Sequence, residues 1–261
     1  MEAKQGGARR SVTACDWVVV TGAASGIGRE IARRFAATSP VLAVDIDATG
    51  LEATAAEFRE RGGQQPFEVA VADVAEPVAM RSALAELPQN ACVRCLVNCA
   101  GIFDHHAAES MPLSSFERVV RVNLTGTFVA SQAAFPLLGR GSAIINIGSI
   151  NGHRALPSHA NYAASKAGVR MLTECLAVEW APRGVRVVSV SPGIVDTPMN
   201  RKVEEESGID GDAIRARIPL GRYASTTEVA AVVEFLASPE AGYVSGVDIL
   251  VDGAWTAYGA M

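Results

Sequence analysis

Tyr162 and Lys166 stand four residues apart in a segment rich in good helix formers. Residues at this spacing share a helix face and lie about 6 Å apart along the axis. A lysine ammonium so placed favours the phenolate, and lowering a tyrosine pKa from near 10 to neutrality takes about 4 kcal/mol. One cation about 4 Å away supplies energy of that order at an effective dielectric near 20. Such pairs often lie on the protein surface without a catalytic role, but this one can form a base for the hydroxyl proton of an alcohol.

Two further polar residues belong with this pair. Ser149 ends the fifth predicted strand, at the carboxyl edge where open α/β sheets place their ligands. Asn123 falls in the long helix predicted before that strand. Together with Tyr162 and Lys166 they form the candidate catalytic group.

A glycine-rich segment, Thr21–Gly28, follows the first predicted strand and leads directly into a helix. Gly22 permits a tight turn, Gly26 lets the backbone approach a pyrophosphate, and Gly28 lets the helix pack on the strand. The helix N-terminus then offers N–H groups and a partial positive charge to the phosphates, with Ser25 and Ile27 beside them. No Gly-Lys-Ser/Thr follows, which disfavours a triphosphate P-loop.

Asp45 ends the second predicted strand, with Ile46 next to it, at the distance expected for a carboxylate that binds the adenosine ribose of a dinucleotide. A 2′-phosphate would meet a like charge there, at a cost on the order of a few kcal/mol. The segment therefore predicts NAD rather than NADP. Arg29 is the one residue that counts against this prediction, because its side chain could turn back toward a phosphate.

Short β-branched apolar runs alternate with longer helical stretches along the whole chain. This alternation predicts an α/β fold, a doubly wound parallel sheet of about seven strands with helices on both faces. The predicted strands are 17–20, 41–44, 67–71, 94–97, 143–147, 185–190 and 247–251, and the predicted helices are 26–37, 49–61, 76–87, 113–138, 160–181 and 226–237.

No linker or repeat divides this pattern, so residues 14–261 are expected to form one domain after a loose tail at 1–13. The charged segment 198–218 interrupts the alternation. An excursion at that place is either a lid over the site or a solvated pair of surface helices.

Composition narrows the class of function. The 261 residues carry a net charge of −5, which argues against a nucleic-acid partner. No run is apolar enough for a bilayer span and no secretory signal precedes the first strand, so a cytoplasmic protein is expected. The five cysteines lack a second ligand pair for zinc, and buried thiols are a better interpretation than disulfides, so no metal site is expected.

The sequence resembles the short-chain dehydrogenase/reductases, in the common form of roughly 250 residues. The likeness runs from Val18 to Trp255. The matching motifs are Thr21-Gly22-x-x-x-Gly26-x-Gly28, Asp73-Val74, Asn98-Cys-Ala-Gly101, Asn123, Ser149, Tyr162-x-x-x-Lys166 and Pro192-Gly193.

The resemblance implies roles for these residues in a hydride transfer between nicotinamide and a secondary alcohol or ketone. Tyr162 would be the general acid/base, and Lys166 would lower its pKa and hold the nicotinamide ribose. Ser149 would bind the substrate oxygen, and Asn123 would hold a water that relays protons. The further cofactor contacts implied are Asp73 and Val74 at the adenine, Asn98, Ala100 and Gly101 in the floor, and Pro192, Ile194 and Thr197 at the carboxamide.

One position departs from the family pattern, which usually has asparagine where this chain has Cys99. A thiol cannot make the hydrogen bonds of an amide, so weaker support of the central strand is expected there, without loss of activity. Members of the family usually pair the helices 113–138 and 160–181 across a two-fold axis. The resemblance therefore implies a homotetramer, with a dimer as the alternative.

The substrate itself stays open among polyols, sugars, hydroxy acids, acyl thioesters and cyclic alcohols. Ile150, Asn151, His153 and Met199 are the candidate pocket residues, with Phe103, Asp104 and His105 from the segment after Gly101. Two other classes compete with the enzyme: a regulator that binds NAD without turnover, and a methyltransferase. The first commonly lacks the tyrosine or the lysine, and the second needs no such pair.

Overall fold

The structure is a computed structural model that describes residues 17–207 and 210–258. Within these residues, seven parallel strands form one sheet in the order β3-β2-β1-β4-β5-β6-β7. The strands are β1 (Trp17–Thr21), β2 (Val41–Asp45), β3 (Phe67–Val71), β4 (Val93–Asn98), β5 (Leu138–Ile147), β6 (Arg186–Pro192) and β7 (Asp248–Val251). The predicted doubly wound sheet is confirmed, and the tail predicted at 1–13 lies outside the described residues.

Helices connect consecutive strands and cover both faces of the sheet. They are α1 (Gly26–Ala36), α2 (Ala48–Glu60), α3 (Pro77–Ala85), α4 (Leu113–Val120), α5 (Gly126–Ala134), α6 (Ala160–Trp180), α7 (Pro198–Ser207), α8 (Gly211–Arg217) and α9 (Thr226–Ala237). The side chain of Ser225 caps α9 and Glu228 closes the capping box, as the Ser-Thr-Thr-Glu segment indicates.

The core has one layer on each face of the sheet. On one face, side chains of α1 and α9 such as Phe35 and Val233 pack over alternate residues of the central strands. On the other face, α3, α5 and α6 contribute residues such as Met80, Val129 and Leu176. The central strands are therefore buried on both sides, which explains why their sequences are continuously apolar.

The functional edge follows from the strand order. The chain runs outward from β1 to β3 and then returns to β4 on the other side of β1, so the order reverses between β1 and β4. Thr21 and Asn98, which end these two strands, are register partners. Ligands of open α/β sheets bind in the crevice beyond such a reversal.

The helix predicted over 113–138 is wrong as one continuous element. It is interrupted by a π-helical turn over Arg121–Thr125 that holds Asn123, and α5 ends at Ala134. Pro136 has no N–H to donate and its ring clashes with the preceding turn, so the helix gives way to a 3-10 turn and β5 starts at Leu138. The strand predicted from 143 is therefore five residues longer at its start.

The segment 198–218 forms two short helices, α7 and α8. Ile218, directly after α8, is buried against Ile150 and Trp255. The segment thus forms a pair of helices, and its apolar side is anchored over the carboxyl edge of the sheet. Whether it opens and closes stays a prediction.

Candidate active site

One cavity of about 960 Å³ follows the carboxyl edge of the sheet. This volume lies at the upper end of the usual range for ligand pockets, which gives room for a dinucleotide and a small second molecule. Most of the residues predicted from the sequence line it: Gly22, Ser25, Gly26, Ile27, Gly28, Asp45, Ile46, Asp73, Val74, Ala100, Gly101, Ser149, Ile150, Asn151, Tyr162, Lys166, Pro192, Ile194, Thr197 and Met199.

The glycine loop fits a pyrophosphate. A Cβ on Gly22 would lie 2.7 Å from the main-chain nitrogen of Ala100, and a Cβ on Gly28 would lie 2.0 Å from the carbonyl oxygen of Gly22. Only glycines therefore allow the loop to pack this closely. Ser25, at the N-cap of α1, makes no side-chain capping bond, so the first N–H groups of the helix stay available to an anion.

Asp45 is positioned by the same loop. Its Oδ2 accepts a hydrogen bond from the main-chain nitrogen of Ala24 at 2.9 Å, and its Oδ1 accepts one from that of Asp47 at 3.0 Å. A carboxylate has about four acceptor sites, so capacity remains for ribose hydroxyls. Arg29 donates to the carbonyl oxygen of Ala24, which holds its guanidinium against the loop, and the preference for NAD over NADP stays a prediction.

The end of the cavity predicted to hold the adenine contains a charge network that the sequence did not indicate. Arg121 bonds Asp73 at 3.1 Å and also pairs with Glu76. Asp73 Oδ1 accepts a hydrogen bond from the main-chain nitrogen of Ala75. These contacts within the protein hold the segment 73–76 over the end of β3 without help from a ligand.

Tyr162 and Lys166 lie in the first two turns of α6, as predicted. The Lys166 ammonium lies 5.7 Å from the centre of the Tyr162 ring, and it donates to the carbonyl oxygen of Ile147 at 2.8 Å. Ser149, the N-cap of a short 3-10 turn over Ile150–Gly152, makes a side-chain hydrogen bond with Tyr162. A tyrosine, a serine and a lysine thus meet at one point of the cavity wall.

Burial is the main influence on the protonation of this group. Burial raises the pKa of Tyr162, and the hydrogen bond with Ser149 lowers that pKa by less. Burial also lowers the pKa of Lys166 to about 8. The expectation of a depressed tyrosine pKa counted the ammonium alone and left out the cost of desolvating a phenolate and a lysine together.

The lysine therefore carries a stability cost that a variant can reveal. We expect Lys166→Met to raise the free energy of unfolding at pH 7 by on the order of 1–3 kcal/mol, while turnover is lost. Because the folded-state pKa is depressed, the folded protein binds fewer protons than the unfolded chain between about pH 8 and 10.5. Wild-type stability should rise with pH across that window.

Urea unfolding at pH 7 and pH 9.5 measures this effect. The advantage of Lys166→Met should shrink at the higher pH, whereas Lys202→Met, at an exposed position on α7, should show no such change. A Lys166→Met variant less stable than wild type at pH 7 would contradict the prediction.

Asn123 is fully buried and does not line the cavity. Its carboxamide accepts from the main-chain nitrogen of Ile102 at 2.8 Å and donates to the carbonyl oxygen of the same residue at 3.0 Å. It also donates to Ser165. A Cβ on Gly101 would lie 3.3 Å from the Asn123 amide oxygen and 3.6 Å from the Lys166 nitrogen. The asparagine therefore holds the loop after β4 against the lysine.

Asn98 lies beneath the cofactor floor rather than in the cavity wall. Its Nδ2 donates to Ser131 on α5 and to Asn146 on β5, and Asn146 donates in turn to Thr173 on α6. All four side chains are buried, and the Oδ1 of Asn98 has no partner among the described residues. We call Asn98, Ser131, Asn146 and Thr173 the amide chain.

Cys99 takes the place of the usual asparagine and contacts the core. Thr21 supports the main chain here instead, because its Oγ1 accepts from the nitrogens of Cys99 at 3.1 Å and Ala100 at 3.2 Å. Burial raises the pKa of the Cys99 thiol to about 12, so the side chain is a neutral part of the cavity floor.

The turn after β6 closes the cavity opposite the glycine loop. Ile194 and Asp196 exchange main-chain hydrogen bonds with Ala224, which fixes the path of the turn. Thr197 is buried, and its side chain would lie 3.7 Å from a Cβ on Gly26. The two segments predicted to hold the pyrophosphate and the carboxamide therefore face each other across a narrow gap.

The substrate side agrees only partly with the sequence. His153 does not line the cavity, because its Nε2 bonds Oδ2 of Asp248, the first residue of β7, at 2.5 Å; the substrate contact predicted for it is wrong. Asp104 is likewise committed to Ser115 and Arg118. The sequence missed Leu156, Pro157, Ser158, His159, Val203, Ala213, Ile214, Arg217 and Trp255, all of which line the cavity.

Two features are absent from the residues that the structure describes. Across 17–207 and 210–258, no helix combines the length and the apolar character that crossing a membrane requires. Over the same residues, no group of three or more His, Cys, Asp or Glu side chains is arranged to hold a metal ion.

A glycine-loop dinucleotide fold with a Tyr–Ser–Lys group at the sheet edge defines a class of nicotinamide-dependent oxidoreductases. The family model described as enoyl-(acyl carrier protein) reductase matches residues 22–256. The chain belongs to the short-chain dehydrogenase/reductase family. The levodione reductase structure is similar, with a TM-score of 0.88 and 30% identity over 95% of this chain and 99% of that one.

The similar sequences include enzymes with different named substrates. D-threitol dehydrogenase of Mycolicibacterium smegmatis is 40% identical over 91% of this chain and 92% of its own. The (3R)-3-hydroxyacyl-CoA dehydrogenase of Rattus norvegicus is 41% identical over 90% of this chain and 94% of its own. An uncharacterized short-chain type dehydrogenase/reductase of Sinorhizobium fredii is 40% identical over 91% of this chain, which spans 43% of that protein's length.

Proposed function

We propose that this protein is an NAD-dependent dehydrogenase that oxidises a secondary alcohol to a ketone, or reduces the ketone. The observation that carries the proposal is that the glycine loop, Asp45, Ser149, Tyr162 and Lys166 all line the same cavity. A chain that bound the dinucleotide without turnover would not need the three catalytic side chains in that cavity.

Each residue of the site has a part in the proposed reaction. The nicotinamide ring, when bound, accepts or supplies the hydride. Tyr162 removes the hydroxyl proton as the carbinol carbon is oxidised, and returns a proton to the oxygen in the reverse direction. Ser149 holds the same oxygen and stabilises its negative charge. Lys166 would hold the ribose hydroxyls of the cofactor.

We assign Asn123 a positioning role. It bonds the main chain of Ile102 with both ends of its carboxamide, and so keeps Gly101 open toward Lys166. The proton relay through a water that the family resemblance implies for this residue stays a prediction.

Asp45 supports NAD over NADP. Its carboxylate is fixed by Ala24 and Asp47 at the end of the cavity where Ile46 is exposed. The two ribose hydroxyls of NAD can donate to it, whereas a 2′-phosphate would bring two negative charges together. Arg29 already donates to the carbonyl oxygen of Ala24 through two of its nitrogens.

A screen of NADH absorbance tests the proposal. Secondary alcohols, polyols and hydroxyacyl thioesters are each supplied with NAD and, separately, with NADP. We expect turnover with at least one alcohol class and a preference for NAD. Absence of turnover with every class would overturn the oxidoreductase assignment, and a tenfold preference for NADP would overturn the role of Asp45.

We further propose that the protein is a cytoplasmic homotetramer. Apolar side chains are exposed along α4, α5 and α6, among them Leu113, Phe128, Met171 and Val178. Leu250 is exposed on the edge strand β7. Two separate apolar surfaces suit two kinds of subunit contact, as a tetramer requires. A particle of one-chain mass in light scattering would contradict this assembly.

A further inference from the structure

A cluster of aromatic rings lies beside Tyr162. Phe103 contacts the Tyr162 ring edge-on at 5.3 Å and the His159 ring at 4.8 Å between centres. His105 lies 5.5 Å from His159. Phe103, His105 and His159 all line the cavity. The cluster therefore forms the wall next to the point where the reacting oxygen would be held.

The position of His159 is specified by the surrounding main chain. Ser158 has a φ of 63°, a left-handed conformation that is uncommon for serine. The Ser158 carbonyl oxygen accepts a hydrogen bond from the nitrogen of His106 at 3.3 Å, which ties the two cavity loops together. Local strain that the surrounding structure maintains is typical of functional sites.

The hydrogen bonding of His159 fixes its chemistry. Its Nδ1 lies 2.5 Å from the carbonyl oxygen of Pro157. A carbonyl oxygen can only accept, so Nδ1 carries the proton. Burial lowers the pKa of His159 below its ordinary value of 6.5, so the ring is neutral at pH 7. In a neutral imidazole with a protonated Nδ1, Nε2 is an acceptor with a lone pair.

No donor to this Nε2 exists among residues 17–207 and 210–258. His159 is the N-cap residue of α6, three residues before Tyr162, and the rings of both residues contact Phe103. A residue that lines the cavity beside Tyr162 therefore carries an acceptor with no partner among the described residues. The neighbouring wall is apolar, with Leu156, Met199 and Trp255.

We propose that His159 accepts a hydrogen bond from a second hydroxyl of the substrate, and that the substrates are small polyhydroxylated alcohols. This inference rests on the proposed function. A hydroxyl next to the carbinol can donate to Nε2, whereas a 3-hydroxyacyl thioester presents a carbonyl oxygen there, and its lone pairs would face those of the imidazole. The wall thus distinguishes the two substrate classes named for the relatives.

The test compares substrates that differ by one hydroxyl. Wild type and His159→Phe are assayed with 2-butanol, 2,3-butanediol and butane-1,2,3,4-tetrol. Phenylalanine keeps the ring contact with Phe103 and removes the acceptor. An unpaired polar group costs about 1–3 kcal/mol, so we expect kcat/KM for the diol or the tetrol to fall about 10- to 100-fold. The value for 2-butanol should change less than about 3-fold.

His105→Phe is the matched control, since it changes the neighbouring imidazole of the same cluster and should leave the ratio of diol to mono-alcohol unchanged. Equal losses on all three alcohols, or no loss on the diol and the tetrol, would overturn the role of His159. A wild type that prefers 2-butanol would overturn the substrate class alone. A wild type that oxidises none of the panel and no thioester would instead overturn the proposed function.

Discussion

Tyr162→Phe should lower kcat/KM for alcohol oxidation about 10³-fold or more while NADH binding changes less than about 3-fold. The substitution removes one oxygen and keeps the ring, including its edge-on contact with Phe103. A positioned general base contributes about 10²- to 10⁴-fold, and the hydroxyl also makes a hydrogen bond with Ser149, the proposed second contact of the reacting oxygen. Stopped-flow or steady-state measurements of NADH absorbance give turnover, and NADH fluorescence gives binding.

Two observations would make this result specific. Tyr243→Phe, at a fully exposed position, should keep wild-type activity. In wild type, kcat/KM for oxidation should rise with pH, because burial raises the pKa of Tyr162 and the phenolate is the base. A Tyr162→Phe variant that retained a tenth of wild-type turnover would refute the catalytic assignment, and would revive the interpretation of the chain as a regulator that only binds NAD.

Asp45→Asn should shift the preference for NAD over NADP by about 10²- to 10³-fold toward NADP. The change removes the negative charge but keeps one acceptor oxygen for the main-chain nitrogen of Ala24, so the glycine loop stays supported. Two unit charges about 4 Å apart interact by about 4 kcal/mol at an effective dielectric of 20, and part of this remains after screening by salt. The measurement is the ratio of kcat/KM values for the two cofactors.

Asp47→Asn provides the comparison for this charge. Asp47 lies two residues further on and caps α2 through its contact with the nitrogen of Gly50, a role that asparagine can keep. Its cofactor ratio should stay within about 3-fold of wild type. An Asp45→Asn ratio that moved no further than the Asp47→Asn ratio would show that the preference is set elsewhere.

Elements with a strong local pattern could be predicted from the sequence. The apolar β-branched residues of β1 and β2 can only be buried on both faces, and Ser225 and Glu228 mark the start of α9. Pro136 is also visible in the sequence, but the helix predicted over 113–138 runs through it and does not allow for its missing N–H. The π-helical turn around Asn123 had no local signal, because the loop at Ile102 that it supports is 21 residues away in sequence.

The residues of the candidate site also divide into those with a local sequence signal and those whose geometry depends on distant contacts. The positions of Tyr162 and Lys166 follow from helix spacing, but the direction of the ammonium depends on the carbonyl oxygen of Ile147, which belongs to another strand. The sequence suggests His153 as a pocket residue because it is polar and follows Ser149. Only the sheet topology shows that Asp248 lies beside it. His159 could have been found from its spacing to Tyr162. The free acceptor on its Nε2 depends on the fold of the loop, which brings Nδ1 to the carbonyl oxygen of Pro157.

The amide chain beneath the cofactor floor also bears on how the sheet assembles. Asn98 on β4 and Asn146 on β5 are register partners on the same face. If β5 slipped by a single residue along β4, Asn146 would turn to the opposite face, into the apolar layer under α1 and α9. Each stranded amide would cost about 1–3 kcal/mol per unmatched group. The two buried asparagines therefore favour the observed alignment of β4 and β5 over a one-residue slip.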